Sequence, residues 1–304
     1  MTPTQIIDLA KKSFSAWSDD KASSMGAALA YYTMFSLAPL LLIVISVAGL
    51  VFGADAARGE IFLQLKGLMG AEGALAVQGL LESVSKPSEG ITGAITGVVL
   101  LVVGATTVFG ELQDDLDRIW KAPERASGGG IWGLLRARVL SFGMILGIGF
   151  LLTVSLVLSA MLAALGKFWG SMFMGWEIVL HIVNLVFSLV FVTVVFAMIY
   201  KIMPRVRIAW RDVWIGAAVT AFLFAIGKFL IGMYIGKSGV TSGFGAAGSV
   251  VVVLVWVYYS AQIFLLGAEF TQVYSHERGS RKGLGREHAP EKRRPDYDAI
   301  LQQH

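Results

Sequence analysis

Three polar side chains interrupt apolar stretches of this sequence in a way that could bind an anion. Lys228 lies in the run 212–236, and His181 and Asn184 lie near the start of the run 178–200. An ammonium group beside imidazole and amide N–H groups can hold a negative charge through ionic and hydrogen bonds. Helical rise counted from the two ends predicts that all three residues reach the outer layer of a membrane and meet there. In the alternative interpretation, Lys228 extends to the headgroups while the other two pair between helices.

A second polar pair is associated with the last apolar run, 244–268. Gln262 and Glu269 are seven residues apart and therefore share one helix face. We expect Gln262 near mid-depth and Glu269 at the cytoplasmic boundary, where an ion pair with a basic residue would hold it. The candidate partners form a basic cytoplasmic rim of Arg205, Arg207 and Arg211.

A third set of polar residues stands in the uncharged stretch "AALAYYTMFSLAPLLLIVISVAGLVFG", residues 27–53. Tyr32 belongs at the inner membrane interface, and Ser36 and Pro39 lie deeper. Pro39 has no N–H, so the Phe35 carbonyl loses its helical partner, and Ser36 can satisfy the bent backbone if it faces the bundle. Such a helix suits the wall of a cavity, although packing alone also tolerates prolines of this kind.

Membrane-spanning helices must position these residues. Hydrophobic residues make up 56% of the chain and charged residues 15%, with a mean hydropathy of +0.69. About 20 apolar helical residues cross the ~30 Å hydrocarbon core of a bilayer. Six runs are long enough: 27–53, 91–110, 139–163, 178–200, 212–236 and 244–268. The sequence therefore predicts an all-α, polytopic bundle of six transmembrane helices with interfacial amphipathic helices.

The distribution of basic residues predicts the orientation of the bundle. Most of the 25 Lys and Arg residues precede the first run, separate runs two and three or four and five, or follow the sixth. Cytoplasmic loops retain positive charge, so both ends of this chain are expected in the cytoplasm. Residues 1–26 are expected to form an amphipathic cytoplasmic segment and 27–275 the transmembrane domain. The basic tail, 276–304, is expected to be disordered.

Two further segments have helical periodicity without enough apolar length to span. Residues 59–85 predict two short amphipathic helices on the periplasmic face, separated by a break at Gly70 and Gly73. They could serve as a packing cap or as a lid facing a substrate. The stretch "ELQDDLDRIWKAPER" predicts an interfacial helix with an apolar stripe of Leu112, Leu116, Ile119 and Trp120. Its acids are expected opposite that stripe, with Glu111, Asp114 and Asp115 solvated.

Composition argues against several kinds of chemistry. The chain has no cysteine, and its four histidines form no HxH, HxxxH or HExxH grouping. No P-loop, G-x-S-x-G or G-x-G-x-x-G motif is present either. We therefore predict no catalytic, metal or cofactor site. Membrane lipids with anionic headgroups are the expected partners of the basic tail, and nucleic acid is not expected because no aromatic platform accompanies the charge.

Four stretches, in order, resemble the successive signatures of a known family. They are "AALAYYTMFSLAPLLLIVISVAGLVFG", "VFGELQDDLDRIWKAP", "YKIMPRVRIAWRDVWIGAAVTAFLF" and "GFGAAGSVVVVLVWVYYSAQIFLLGAEFTQVY". Over roughly residues 10–277 the chain is similar to the YihY/BrkB family of bacterial inner-membrane proteins. Members have been named virulence factor BrkB and, historically, ribonuclease BN. The resemblance implies a six-helix protein of the bacterial inner membrane and supplies no settled activity.

Three functional hypotheses follow from the sequence. The leading one is a transporter or flippase-like protein for an amphiphilic or anionic envelope molecule, such as a lipid or glycolipid, because cationic groups near a cavity suit such a headgroup. The second is a membrane scaffold that recruits partners through its basic cytoplasmic loops. A membrane-bound ribonuclease ranks third, because the clustered metal ligands that two-metal hydrolysis requires are missing from the sequence pattern.

Overall fold

The computed structural model of this chain describes residues 2–84, 107–123, 176–237 and 247–282. These residues are helical or form turns between helices, and they include no β-strand. The all-α prediction is confirmed for this part of the chain. The predicted span 139–163 and almost all of the predicted span 91–110 lie outside it.

The described helices follow the predicted runs closely. Their bounds are α1 Pro3–Asp19, α2 Ala22–Phe52, α3 Ala54–Val84, α4 107–119, α5 Trp176–Ile202, α6 Trp210–Lys237 and α7 Gly248–Glu277. Within α5, α6 and α7, the segments Leu185–Ile202, Trp210–Ile235 and Gly248–Glu277 are long and apolar enough to cross a membrane. Since other predicted spans lie partly or wholly outside the described residues, the total of six stays a prediction.

Helix α7 is the element against which most of the others pack. It contacts α1, α2, α3 and α6, while α5 packs on α6. Its residues Leu265, Ala268 and Val273 are fully buried. The tail predicted from 276 therefore begins inside a packed helix, and Ser280 and Arg281 still contact the bundle.

Helices α6 and α7 cross where two glycine–threonine pairs face each other in antiparallel register. A Cβ atom on Gly216 would lie 1.8 Å from the Thr271 hydroxyl oxygen, and one on Gly267 would lie 2.0 Å from the Thr220 hydroxyl oxygen. Each threonine hydroxyl donates to the carbonyl four residues earlier in its own helix, at 2.8 Å for Thr220 and 2.7 Å for Thr271. The hydroxyls are thus satisfied, and the small glycines let the two backbones approach closely.

Tyr200 joins α5 to this crossing. Its side chain is fully buried, and its hydroxyl lies 3.1 Å from the Thr220 hydroxyl and donates to the Phe264 carbonyl at 2.7 Å. Phe196, one turn earlier in α5, contacts the rings of Phe224 and Phe264. Three helices are therefore held at one level by a buried hydrogen-bonded tyrosine and an aromatic cluster.

Helix α3 covers the end of the bundle where α6 ends and α7 begins. Gly70 has non-helical dihedral angles (φ 80°, ψ 176°), which confirms the predicted break between two helical pieces. A left-handed φ of this kind is one that glycine adopts without steric strain. Met69 and Val77, on either side of the break, pack with Ile231, Ile235 and Val252, so α3 acts as an apolar cap here.

The crossing predicts a sharp difference between two glycine substitutions. Gly267→Ala should lower the free energy of unfolding by about 1 to 3 kcal/mol, because the new Cβ atom overlaps Thr220 and the Tyr200 hydroxyl. Gly232→Ala is the matched control, since a Cβ there meets no atom within 4 Å. Thermal unfolding in detergent measures both, and equal melting temperatures for the two variants would contradict the close packing.

Candidate functional site

Lys228 lies on the side of α6 that faces the bundle. It is half-buried, and seven residues to either side on the same helix face lie Ala221 and Ile235, both of which are buried. Within the described residues, Lys228 forms no ion pair and no hydrogen bond. Lys228 therefore has no counter-ion among the described residues. It lies on the bundle-facing side of a helix that is long and apolar enough to cross a membrane.

The register between α5 and α6 sets the level of Lys228 relative to His181 and Asn184. Tyr200 meets Thr220, and Phe196 meets Phe224 one turn further along. By the same register, Lys228 lies level with Val192. Asn184 is eight residues from Val192 and His181 is eleven, which corresponds to about 12 and 16 Å along α5. The side chains of His181 and Asn184 lie outside the described atoms. Their meeting with Lys228 stays a prediction, and this register favours separate levels.

Gln262 connects α7 to the beginning of α2. Its amide nitrogen lies 3.5 Å from the Ala22 carbonyl oxygen and 3.4 Å from the Ser23 carbonyl oxygen. The position opposite is Gly26, where a Cβ atom would approach the same amide to 2.1 Å. A larger residue at position 26 would displace this amide, so the glycine preserves a contact between two long helices.

Glu269 is only 1% exposed and lies on the wall of a small polar cavity. The cavity has a volume of about 160 Å³ and lies between α1, the end of α4 and α7. Gln272, Lys12 and Lys121 also line it. Glu269 therefore lies at the end of the bundle that holds α1 and the end of α4, beside a pocket that the sequence did not predict.

Arg205 binds a different acid from the one that was expected. Its backbone N–H donates to Asp117 Oδ1 at 2.8 Å, and its Nε lies 3.1 Å from Asp117 Oδ2. A weaker contact of 3.7 Å joins its guanidinium to Asp114. The pairing of Arg205 with Glu269 is thus replaced by a clamp from α4 to the turn between α5 and α6. Arg207 and Arg211, the other rim residues, are exposed.

Helix α4 does bury the predicted apolar stripe, but its acids are not all on the opposite side. Leu116, Ile119 and Trp120 are buried as expected. Asp115 is only 5% exposed, which corrects the prediction of a solvated charge. Burial, and then the neighbouring Glu111 carboxylate, raise the pKa of Asp115 to about 7, while Arg118 opposes the shift.

Asp212 is a second buried carboxylate that sequence reasoning missed. It stands in the first turn of α6, and its Oδ2 accepts hydrogen bonds from the Ser280 backbone N–H at 2.9 Å and the Ser280 hydroxyl at 2.7 Å. Arg281 continues this contact by donating to the Arg207 carbonyl at 3.0 Å and lying over the Trp120 ring. A carboxylate at the start of an apolar helix was the available signal for such a contact.

The polar residues of α2 have mostly local roles. The Ser36 hydroxyl donates to the Thr33 carbonyl at 3.1 Å, so it satisfies that group and not the Phe35 carbonyl freed by Pro39. Helix α2 continues through position 39 without ending. Tyr32 is half-buried, and its ring contacts Tyr31 edge-on at 5.5 Å. The Pro39 side chain lies outside the described atoms.

Comparison with known proteins shows the family of this chain. The family described as Virulence factor BrkB matches residues 13–292, so the chain belongs to it, as the four motifs suggested. No solved structure matches the chain.

Three similar proteins are all named UPF0761 membrane proteins. The one from Pseudomonas aeruginosa is 29% identical over 253 residues, which cover 82% of this chain and 58% of that protein. The one from Alcanivorax borkumensis is 26% identical over 282 residues, covering 90% and 62%. The one from Cronobacter sakazakii is 27% identical over 279 residues, covering 88% and 89%. The chain thus spans less than two thirds of the length of the first two relatives.

Burial of Asp115 predicts a pH-dependent stability. Between its ordinary pKa of 3.8 and about 7, the unfolded chain carries an ionised carboxylate while the folded chain holds a proton. The free energy of unfolding should therefore fall as pH rises through this window and level off above it. Asp115→Asn should raise the melting temperature at pH 8, and the gain should shrink toward pH 4.

Asp55→Asn on α3 is the control, since Asp55 is exposed and is not among the groups that shift the pKa of Asp115. Melting temperatures measured from pH 4 to pH 8 compare the two variants. A gain for Asp115→Asn that does not vary with pH would contradict a proton held at Asp115.

Proposed function

We propose that this chain, as a member of the Virulence factor BrkB family, is a transporter or flippase-like protein of the bacterial inner membrane. Its substrate would be an anionic amphiphilic envelope molecule, a lipid or a glycolipid. The observation that supports this proposal is Lys228, a half-buried lysine on the bundle-facing side of α6 with no counter-ion among the described residues.

An uncompensated charge inside a membrane protein is unfavourable, so such residues usually line a water-filled or substrate-binding space. A lysine that only extended toward headgroups would lie on the exposed face of α6. That face carries Phe222, Phe229 and Met233, and Lys228 stands on the side of Ala221 and Ile235. An anionic headgroup that entered the bundle would supply Lys228 with the negative counter-charge that the described residues do not supply.

The cytoplasmic end of the same helix supports an anionic substrate as well. Arg211 is exposed in the first turn of α6, and Arg207 is exposed in the turn before it. Both are available to phosphate or carboxylate groups of a lipid, because the acids nearby, Asp117 and Asp212, are engaged by Arg205 and Ser280. Positive charge near a membrane surface attracts anionic headgroups.

A membrane scaffold is the second candidate, and the cytoplasmic clamps favour it. The contacts Arg205–Asp117 and Asp212–Ser280 fix the turn before α6 and the segment after α7 against the bundle. A rigid cytoplasmic surface with exposed arginines is what a partner protein would require. The scaffold needs no unpaired lysine in the membrane, so Lys228 distinguishes the two functions.

Lys228→Met tests the proposal directly. Methionine keeps the apolar stem and removes the charge, so the melting temperature in detergent should be unchanged or higher. Retention of co-purified anionic lipid should fall if Lys228 faces a bound headgroup. Both quantities are measured on the same preparation, the lipid by mass spectrometry, with Lys66→Met on α3 as the exposed-lysine control.

Lipid retention equal to that of the Lys66→Met control would remove Lys228 from the site and favour the scaffold. A large loss of stability would instead reveal that the lysine neutralises a buried acid, which can contribute about 3 to 5 kcal/mol in a buried pair.

The orientation can be tested at the two ends of α6. The chain has no cysteine, so Lys237→Cys and Arg211→Cys each introduce a single exposed thiol. The charge distribution predicts that an impermeant maleimide added to intact spheroplasts labels position 237 and not position 211. Labelling of 211 alone would reverse the topology, and lysed membranes supply the control in which both positions react.

A further inference from the structure

Beyond the crossing, a groove of about 430 Å³ lies between α6 and α7. The groove is lined on α6 by Leu223, Leu230 and Tyr234, and on α7 by Tyr259, Ile263 and Leu266. It is almost wholly apolar. Leu230, Tyr234 and Tyr259 are each about half exposed, so the groove is open along its side and not closed within the bundle.

Gly227 forms part of the groove, opposite Ile263. A Cβ atom at this position would lie 2.2 Å from the Ile263 Cδ1 atom. Any larger residue would push the Ile263 side chain aside, so the shape of the groove depends on this glycine.

The length of the groove matches one leaflet of a bilayer. Leu223 and Tyr234 are eleven residues apart on α6, which corresponds to about 16 Å of helix. Half of the ~30 Å hydrocarbon core is about 15 Å. The groove thus extends from near mid-depth to the end of α6 where Tyr234 lies.

That end of the groove carries polar groups and a positive charge. Lys237 follows Tyr234 by three residues and Leu230 by seven, so it continues the same helix face. Lys237 is exposed, and it forms no ion pair among the described residues. Tyr234 has the position at which aromatic side chains anchor a helix to the membrane interface.

The groove is separate from the site assigned to Lys228. Consecutive residues of an α-helix are rotated by about 100°, so Lys228 lies roughly 160° around α6 from Leu230. Lys228 does not line the groove, although Ile231, one turn away on α6, does, and the open edge of the groove is formed by Leu230 and Tyr234.

We propose that this groove binds one acyl chain of an anionic phospholipid, with the phosphate headgroup beside Lys237. The apolar lining and the one-leaflet length select an acyl chain. The lysine at the open end, together with the interfacial tyrosine, selects a negative headgroup over a zwitterionic one. This site does not depend on transport, and a scaffold would also possess it.

Native mass spectrometry of the full chain can test the site with two probes, phosphatidylglycerol and phosphatidylcholine. Wild-type protein should retain one phosphatidylglycerol molecule more tightly than phosphatidylcholine. Lys237→Gln should weaken the phosphatidylglycerol complex by about fivefold and leave phosphatidylcholine unchanged, because one lysine near the surface contributes about that factor. Lys66→Gln on α3 is the charge-matched control and should behave as wild type.

Filling the groove should weaken both lipids. Leu230→Trp and Ile226→Trp place an indole ring in the groove, whereas Phe229→Trp, on the exposed face, is the size-matched control. Each groove variant is measured separately. Lipid binding is interpreted for a variant whose melting temperature equals that of the wild-type protein.

Normal phospholipid retention in the correctly folded groove variants would overturn the acyl-chain assignment. An unchanged preference for phosphatidylglycerol in Lys237→Gln would overturn the headgroup assignment. Lys228→Met should leave this lipid in place, so failure of the groove and failure of the transport proposal give different results.

Discussion

The close crossing of α6 and α7 is the contact on which the other described features depend. Lipid chains are as apolar as leucine, so burial alone gives two membrane helices little reason to associate. Close packing must supply the attraction, and it requires small residues where the backbones meet. Gly216 opposite Thr271 and Thr220 opposite Gly267 meet this requirement twice. Each threonine also satisfies its own hydroxyl within its helix, so no polar group is left exposed to lipid.

The crossing explains both sides of α6. The groove between Leu223 and Tyr234 begins where the glycine–threonine contacts end, and beside it the two helices stay in contact through Ile231, Ile235 and Val252. On the other side, Tyr200 hydrogen-bonds at the same level to Thr220 and Phe264, which sets the register of α5. That register in turn places Lys228 about two turns beyond the tyrosine, on the bundle-facing side of α6 and outside the lining of the groove.

Sequence periodicity and composition predicted the helical class, the helix positions and the break at Gly70, because these depend on residues near one another in the chain. The side of α6 on which Lys228 lies could also be derived from its seven-residue spacing to Ala221 and Ile235. The partner of Arg205 could not be derived from the sequence. Asp117 is 88 positions away, and neither helical spacing nor loop charge distinguishes it from Glu269. Burial of Asp115 escaped prediction for a similar reason, since Asp115 lies at the edge of the acidic side of α4, next to the apolar stripe, and packing decides whether such a residue faces inward.

Asp117 and Asp212 have the same structural role at two places in the bundle. Each carboxylate accepts a backbone N–H from a segment that is not helical, Arg205 in the turn before α6 and Ser280 after α7. A backbone N–H that is shielded from water and left without a partner is unfavourable. A charged acceptor forms a stronger hydrogen bond than a neutral one. The turn and the segment are thus held in place by acids from distant parts of the chain. Because these two acids are already occupied, the exposed charge left by Arg207 and Arg211 on this surface is positive.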